Sequence, residues 1–262
     1  MKPSADELLN IVHEDEDLLV VNKPAGLVCH PTRGDGRSSL VGRLRIYFGE
    51  GRWHLLNRLD RETSGICICA KNDAAAKLVR NQFEARTVGK GYRAIVHGWP
   101  ESDSGLVNEP IGRDEQSEVG IRRCIRTDGD EAITEFQVMD RFARDDERFS
   151  LLSLKPQTGR THQIRIHLAH LGHPIVGDKL YGLDESAYLA FVNGTLTDTQ
   201  RASLRLPCHA LHARSLSIDW KGSRREFIAE VSLTTARPGD PLTAFGRFVD
   251  PPGYPRIPPV DV

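Results

Sequence analysis

Apolar and polar positions follow two rhythms along this chain, one of period two and one of period 3.6. The run Leu18-Leu19-Val20-Val21 ends at Asn22-Lys23-Pro24 and Ala25-Gly26, which predicts a short buried strand entering a turn set by proline and glycine. From Ser64 to Lys71 the chain reads SGICICAK, with Ile66 and Ile68 on one face and Cys67 and Cys69 on the other. Both faces are apolar, so a central strand is expected. Between Ser38 and Phe48, Leu40, Val41, Leu44 and Phe48 recur at helical spacing, while Arg43 and Arg45 fall on other faces and would point towards a partner. Asp73 to Arg86 predicts another helix, capped by Asn72 or Asp73, with Leu78, Val79 and Phe83 as its inner stripe.

After the break at Gly89, strands are predicted over Gly91 to Trp99 and over residues 131–143 and 148–155, the last two joined by the charged turn RDDER. Thr161 to Leu171 reads as a helix with Ile164, Leu168 and Leu171 as its stripe, Thr161 as cap, Gly172 at its end and Pro174 beyond. Two late strands, Leu211 to Trp220 and Glu226 to Leu233, follow. Short connections imply antiparallel pairing, so the expected class is α+β: a mixed, largely antiparallel sheet with packed helices. One continuous domain is expected from residue 8 to residue 240. The last 12 residues hold five prolines, and residues 241–262 are expected to be an extended or disordered tail.

Composition narrows the class further. The 262 residues are 39% hydrophobic and 27% charged, and carry a net charge of −1, which excludes a strongly basic polyanion binder. No apolar run is long enough for a membrane span, and the N-terminus lacks the pattern of a signal peptide. Five cysteines without a CxxC pair fit a reduced, cytoplasmic protein. Locally the balance shifts: Arg33, Arg37, Arg43, Arg45, Arg52, Arg58 and Arg61 face only Asp35, Glu50, Asp60 and Glu62 between residues 33 and 62. A basic face for a polyanion remains open.

Three segments carry candidate chemistry. In His54-Leu55-Leu56-Asn57-Arg58-Leu59-Asp60-Arg61-Glu62-Thr63-Ser64-Gly65 one carboxylate, Asp60, lies between two arginines at a turn into the central strand. A turn aspartate accepting local hydrogen bonds is the plainer alternative. In Thr158-Gly159-Arg160-Thr161-His162-Gln163-Ile164-Arg165, continuing through His167, His170 and His173 to Asp178, the histidine spacings do not form a metal motif; phosphate, backbone or mutual hydrogen bonds suit them better, and Arg165 reads as either a cleft-edge or an exposed arginine. Lys90-Gly91-Tyr92 places an aromatic ring between cations, able to stack on a base or to fill a core. No phosphate-loop or dinucleotide motif occurs.

Together these blocks resemble the RluA family of RNA pseudouridine synthases. Asn57-Arg58-Leu59-Asp60-Arg61-Glu62-Thr63-Ser64-Gly65 is similar to H-R-L-D-x-x-T-S-G, Lys90-Gly91-Tyr92 to K-x-Y, and residues 158–165 to T-G-R-T/K-H-Q-I/L-R. Lys23-Pro24-Ala25-Gly26 resembles K-P-x-G, residues 172–178 resemble G-H-P-I-x-G-D, and Leu211-His212-Ala213 resembles L-H-A. Asn57 departs from the family's histidine. With K-P-x-G starting at residue 23, no S4-type domain is expected ahead of it.

The resemblance implies isomerisation of uridine to pseudouridine in ribosomal or transfer RNA, by a monomer, without metal or organic cofactor. It implies Asp60 as the catalytic carboxylate, acting at C1′, at C6 or as a base, Arg165 as its salt-bridge partner, and Tyr92 stacking on the uracil or assisting removal of its C5 proton. The target would be flipped out. Arg58, Arg61, Lys90, Arg160, His162 and Gln163 are the RNA-contacting residues it suggests. A non-catalytic RNA-binding protein on the same fold is the alternative; a hydrolase would need a water-activating base that no block supplies.

Overall fold

A strand that is apolar on both faces needs cover on both. In the computed structural model, which describes residues 8–30, 37–49 and 51–230, that need organises the first of two units, formed by residues 8–90 and 212–230. Its strands are β1 (Ile11–Glu14), β2 (Leu18–Lys23), β3 (His54–Leu55), β4 (Ser64–Ala70), β11 (Leu211–Trp220) and β12 (Ser223–Ile228). The order is β1-β2-β4-β11-β12, with β3 on the end of β4. Every pairing is antiparallel except β4 with β11, where His212 lies opposite Ser64 and Ala213 opposite Gly65. The β2 and β4 strands are buried along their whole length.

Leu18, Val20, Ile66 and Ile68 share a core with Leu216, Ile218 and Phe227, and with Ala75, Ala76 and Val79 of helix α2 (Asp73–Glu84). Asn72 caps that helix through Ala75 N at 2.9 Å. The expected stripe needs one correction. Leu78 is 58% exposed, because the small Ala75 and Ala76 form the contact face beside Val79 and let the helix approach the sheet closely. Helix α1 (Leu40–Phe48) is capped by Ser39 Oγ, which accepts from Gly42 N at 3.1 Å. Its Arg43 does not reach towards a partner: it is buried and donates to Arg37 O at 2.9 Å, whereas Arg45 is exposed.

The second unit spans residues 91–211. Strands β5 (Gly89–His97), β10 (Glu147–Pro156), β9 (Ile133–Arg144) and β6 (Ser104–Asn108) pair antiparallel in that order, and β7 (Ile111–Arg113) pairs with β8 (Arg123–Ile125). Helices α3 (Gln163–His170), α4 (Glu185–Val192) and α5 (Asp198–Leu204) complete it. Thr161 does not cap α3; the cap position is His162, in a left-handed conformation at φ 59°. Leu171 is 39% exposed, and Gln163 through Leu168 are all buried. Polar side chains at 163, 165 and 167 enter the interior with partners, so α3 has no single apolar stripe. The proline-rich stretch 241–262 lies outside the described residues, as do residues 33–36 of the basic stretch. No described helix is long and apolar enough to cross a membrane.

Candidate functional site

The expected site residues fall into two sets, one on each unit. In the first, the turn ahead of β4 carries Asp60, half-buried, between exposed Arg58 and half-buried Arg61. Its backbone is fastened from both sides. Leu59 N donates to Cys29 Sγ at 3.3 Å, and that thiol donates back to Leu59 O at 3.4 Å. After Asp60, Arg61 O accepts from Gly26 N at 2.9 Å and from Lys23 Nζ at 3.2 Å, while Arg61 Nε donates to Gly26 O at 3.2 Å.

Lys23 is completely buried, and its ammonium also donates to Pro24 O and Leu27 O, both at 2.8 Å. Taking an ammonium out of water is costly unless oxygens surround it. Three carbonyls do so here, and they belong to the two loops that meet beside Asp60. The K-P-A-G block thus acts as a fastener for the D-R-E-T turn. Thr63 N closes the turn on Asp60 O at 3.2 Å.

Asn57, the departure from the family pattern, has a packing role. Its Nδ2 donates to Ile66 O at 3.0 Å and its Oδ1 accepts from Ile68 N at 2.8 Å, so the side-chain amide continues the ladder along the edge of β4. Where β4 starts, His212 is buried between Ser64 Oγ at 2.9 Å and Ala229 O at 2.7 Å. The carbonyl can only accept, so Nε2 carries the proton and Nδ1 receives the serine hydroxyl. Burial holds the imidazole down, at about 4. Lys90 is half-buried, and burial together with the nearby Arg86 lowers its pKa.

The second set surrounds α3. Arg165 is 7% exposed, which excludes the exposed-arginine alternative. It meets Asp178 side-on, Nε to Oδ2 at 2.7 Å and Nη2 to Oδ1 at 2.9 Å. Asp178 also accepts from Leu180 N at 3.0 Å and Tyr181 N at 3.1 Å. Burial alone would raise the pKa of this carboxyl; the guanidinium outweighs it and holds the group well below the usual carboxylate range. The guanidinium lies over the Tyr181 ring, 5.0 Å from its centroid. The sequence marks Asp178 as the acid that follows the histidines and as the end of a turn motif, and nothing in the spacing of 13 residues pairs it with Arg165.

Gln163 is not placed to contact RNA. It is buried, and its amide is saturated: Oε1 accepts from Thr158 Oγ1 at 2.7 Å and Arg160 N at 3.0 Å, and Nε2 donates to Ile133 O at 2.9 Å and Thr134 Oγ1 at 3.0 Å. It locks the T-G-R turn to β9. Arg160 reaches outwards over Glu131 O at 3.0 Å, and His162 Nδ1 meets Tyr181 OH at 2.9 Å. His167 is buried between Glu109 O at 3.0 Å and Thr134 Oγ1 at 2.9 Å, and His173 bonds His97 O at 2.9 Å. Among the described residues, no three His, Cys, Asp or Glu side chains converge as a metal set. Tyr92 is half-buried on β5, opposite Leu154 of β10.

Comparison with known proteins decides the family. The family model described as RNA pseudouridylate synthase matches residues 17–170, which hold the Lys23 block, the Asp60 turn, Tyr92 and Arg165. The chain belongs to the RNA pseudouridylate synthase family. An uncharacterized RNA pseudouridine synthase of Bacillus subtilis, YlyB, is 40% identical over 181 residues, covering 66% of this chain and 58% of the relative. Ribosomal large subunit pseudouridine synthase D of Pseudomonas aeruginosa is 38% identical over 219 residues, covering 80% and 64%. The chain thus spans less than two thirds of the length of these curated relatives. Among solved structures, human RNA pseudouridylate synthase domain containing 1 superposes with a TM-score of 0.69 at 30% identity, covering 88% of this chain and 86% of that one.

Proposed function

We propose that the protein isomerises uridines of structured RNA to pseudouridine, with Asp60 as the reacting carboxylate. The observation that carries this reading is how Asp60 is held: a half-buried side chain on a turn whose backbone is clipped at Leu59 by Cys29 and at Arg61 by Lys23. A reacting group gains most when its geometry is fixed before the substrate arrives. The reaction breaks the N1–C1′ bond, joins C5 to C1′, and moves the C5 proton so that N1 ends protonated; no atom is gained or lost.

Tyr92 is assigned to the uracil, as a stacking face or as an aid to loss of the C5 proton. Arg165, oriented by Asp178, serves to keep Asp60 ionised, and exposed Arg58 occupies the stack that the flipped uridine leaves. Lys90, Arg61, Arg160 and His162 supply phosphate contacts. Two relatives, 36% and 38% identical, are named as ribosomal large subunit synthases, which favours ribosomal over transfer RNA as substrate. Five cysteines without a CxxC pair support a reducing, cytoplasmic setting, and residues 8–240 are taken as the catalytic domain of a monomer.

The test is pseudouridine mapping in ribosomal RNA incubated with wild-type protein and with Asp60→Asn. Wild type should convert discrete uridines; the variant should keep less than about 1% of the rate while binding within about tenfold, roughly 1.4 kcal/mol, because phosphate contacts dominate affinity. Conversion by the variant at the wild-type rate would remove Asp60 from the chemistry.

A further inference from the structure

On the first unit, an open cleft of about 660 Å³ lies between the last turn of α1 and the first turn of α2. Arg45, Arg52, Trp53, His54 and Asp73 line it. The Trp53 ring is stacked on Phe48 at 5.8 Å, so its orientation is set by packing while the ring itself stays half-exposed. Arg52 is 86% exposed and touches Asp73 Oδ2 at 3.0 Å; His54 holds Asp73 Oδ1 at 2.6 Å, and Arg80 donates to His54 Nδ1 at 3.0 Å. Among the described lining residues Asp73 is the one carboxylate and has neighbours on both oxygens, while Arg45 and Arg52 line the cleft as cations and Arg80 stands behind His54. Apart from His54, which opens the segment that carries Asp60, none of these residues belongs to the blocks that carry the family resemblance.

An aromatic face of fixed orientation beside guanidinium groups is the arrangement that takes single-stranded nucleic acid, a base on the ring and phosphates on the cations. We infer that this cleft is an accessory site for an unpaired nucleotide of the RNA substrate, with its base on Trp53 and its flanking phosphates on Arg45 and Arg52. The inference rests on the reading of RNA as substrate. Its reach fits one RNA: Asp60 follows His54 by six positions, so the cleft lies within about 20 Å of the carboxylate, the span of roughly six stacked nucleotides. Surface arginines without an aromatic platform would hold duplex and single strand alike; the ring adds a preference for unpaired bases.

The probe is a 12-nucleotide single-stranded oligouridylate carrying 5-iodouridine, photocrosslinked to the full chain and mapped by peptide mass, alongside binding titrations. A crosslink at Trp53 is expected. Trp53→Ala should weaken the single strand about tenfold relative to a 12-base-pair RNA duplex, within the range that stacking one base supplies. Arg52→Gln, at a side chain too exposed to affect folding, should reduce the salt slope by about 0.7, the loss of one phosphate. No crosslink at Trp53, or equal weakening of single strand and duplex, would overturn the site. Pseudouridine mapping separates the two proposals. A Trp53 crosslink without isomerisation keeps the cleft and removes the enzymatic reading, and isomerisation without the crosslink does the reverse.

Discussion

Nε and Nη2 of Arg165 face the two oxygens of Asp178 at 2.7 and 2.9 Å, in a place where the carboxylate is fully shielded from water. Removing one member of such a pair strands the other charge. Asp178→Asn should therefore cost about 3–5 kcal/mol, a fall in Tm on the order of 10 °C. The pKa of Asp178 is depressed in the fold, so its contribution is complete at neutral pH and lost as pH falls through that depressed range. Denaturant titrations of wild type and variant should differ by a steady margin from pH 7 to about pH 5, and the gap should narrow as pH falls on below the ordinary carboxyl value of 3.8. A gap that stays constant would mean that the pair is not the source.

Lys23→Met should loosen the turn that carries Asp60. Three carbonyls lose a charged donor, worth at least about 2 kcal/mol in total, and Arg61 O keeps only Gly26 N among the donors described above. Because the defect sits in the orientation of Asp60, kcat should fall several-fold more than KM rises. Lys23→Arg should not rescue, since a planar fork cannot converge on three oxygens as an ammonium does. Rescue by arginine would show that positive charge alone suffices.

His212 makes stability depend on pH in a window that can be named. Its folded pKa, about 4, lies below the ordinary value of 6.5, so the unfolded chain takes up the proton first. Stability should decline as pH drops from 6.5 to 4 and level below it, by on the order of 3 kcal/mol in all. Urea unfolding of His212→Asn over the same range should lack this decline, though the variant starts less stable.

Gly65 and Gly172 both have positive φ, 115° and 81°, yet should respond differently to alanine. At Gly65 a Cβ would lie 2.2 Å from Ala213 O, a backbone atom of the parallel neighbour; at Gly172 nothing stands within 4 Å. Gly172→Ala should cost only the left-handed conformation, about 1–2 kcal/mol, while Gly65→Ala should in addition prise β11 from β4. Equal Tm losses for the two would contradict the close approach.

Much of the fold was legible because burial followed period. The β2 and β4 runs, the β9–β10 hairpin and β11 were readable from apolar rhythm and turn chemistry. Helix α3 was readable in extent but not in orientation. Gln163, Arg165 and His167 lie off the apolar stripe, and only their partners elsewhere in the sequence, which satisfy them inside, show that they are buried. The Asp60 turn could be singled out by its residue types, whereas its fastening could not: nothing in the sequence pairs Lys23 with Arg61 or Cys29 with Leu59, which lie 38 and 30 positions away. Helices α4 and α5 were missed, their stripes being too short to stand out from the surrounding polar residues.

Asn57 also bears on how the chain survives its own synthesis. The β11 strand, which pairs with Ser64 and Gly65, is made about 140 residues after β4, a wait of roughly 7–28 s at ribosomal speed. A hydrophobic strand with an open edge is a template for wrong pairing. Here residues 66–70 need not wait: His54 and Leu55 pair with Ala70 and Cys69, Leu56 N bonds Ile68 O, and the Asn57 amide covers Ile66 and Ile68. The nascent chain thus shields that edge with residues already made, leaving Ser64 and Gly65 for the strand still to come.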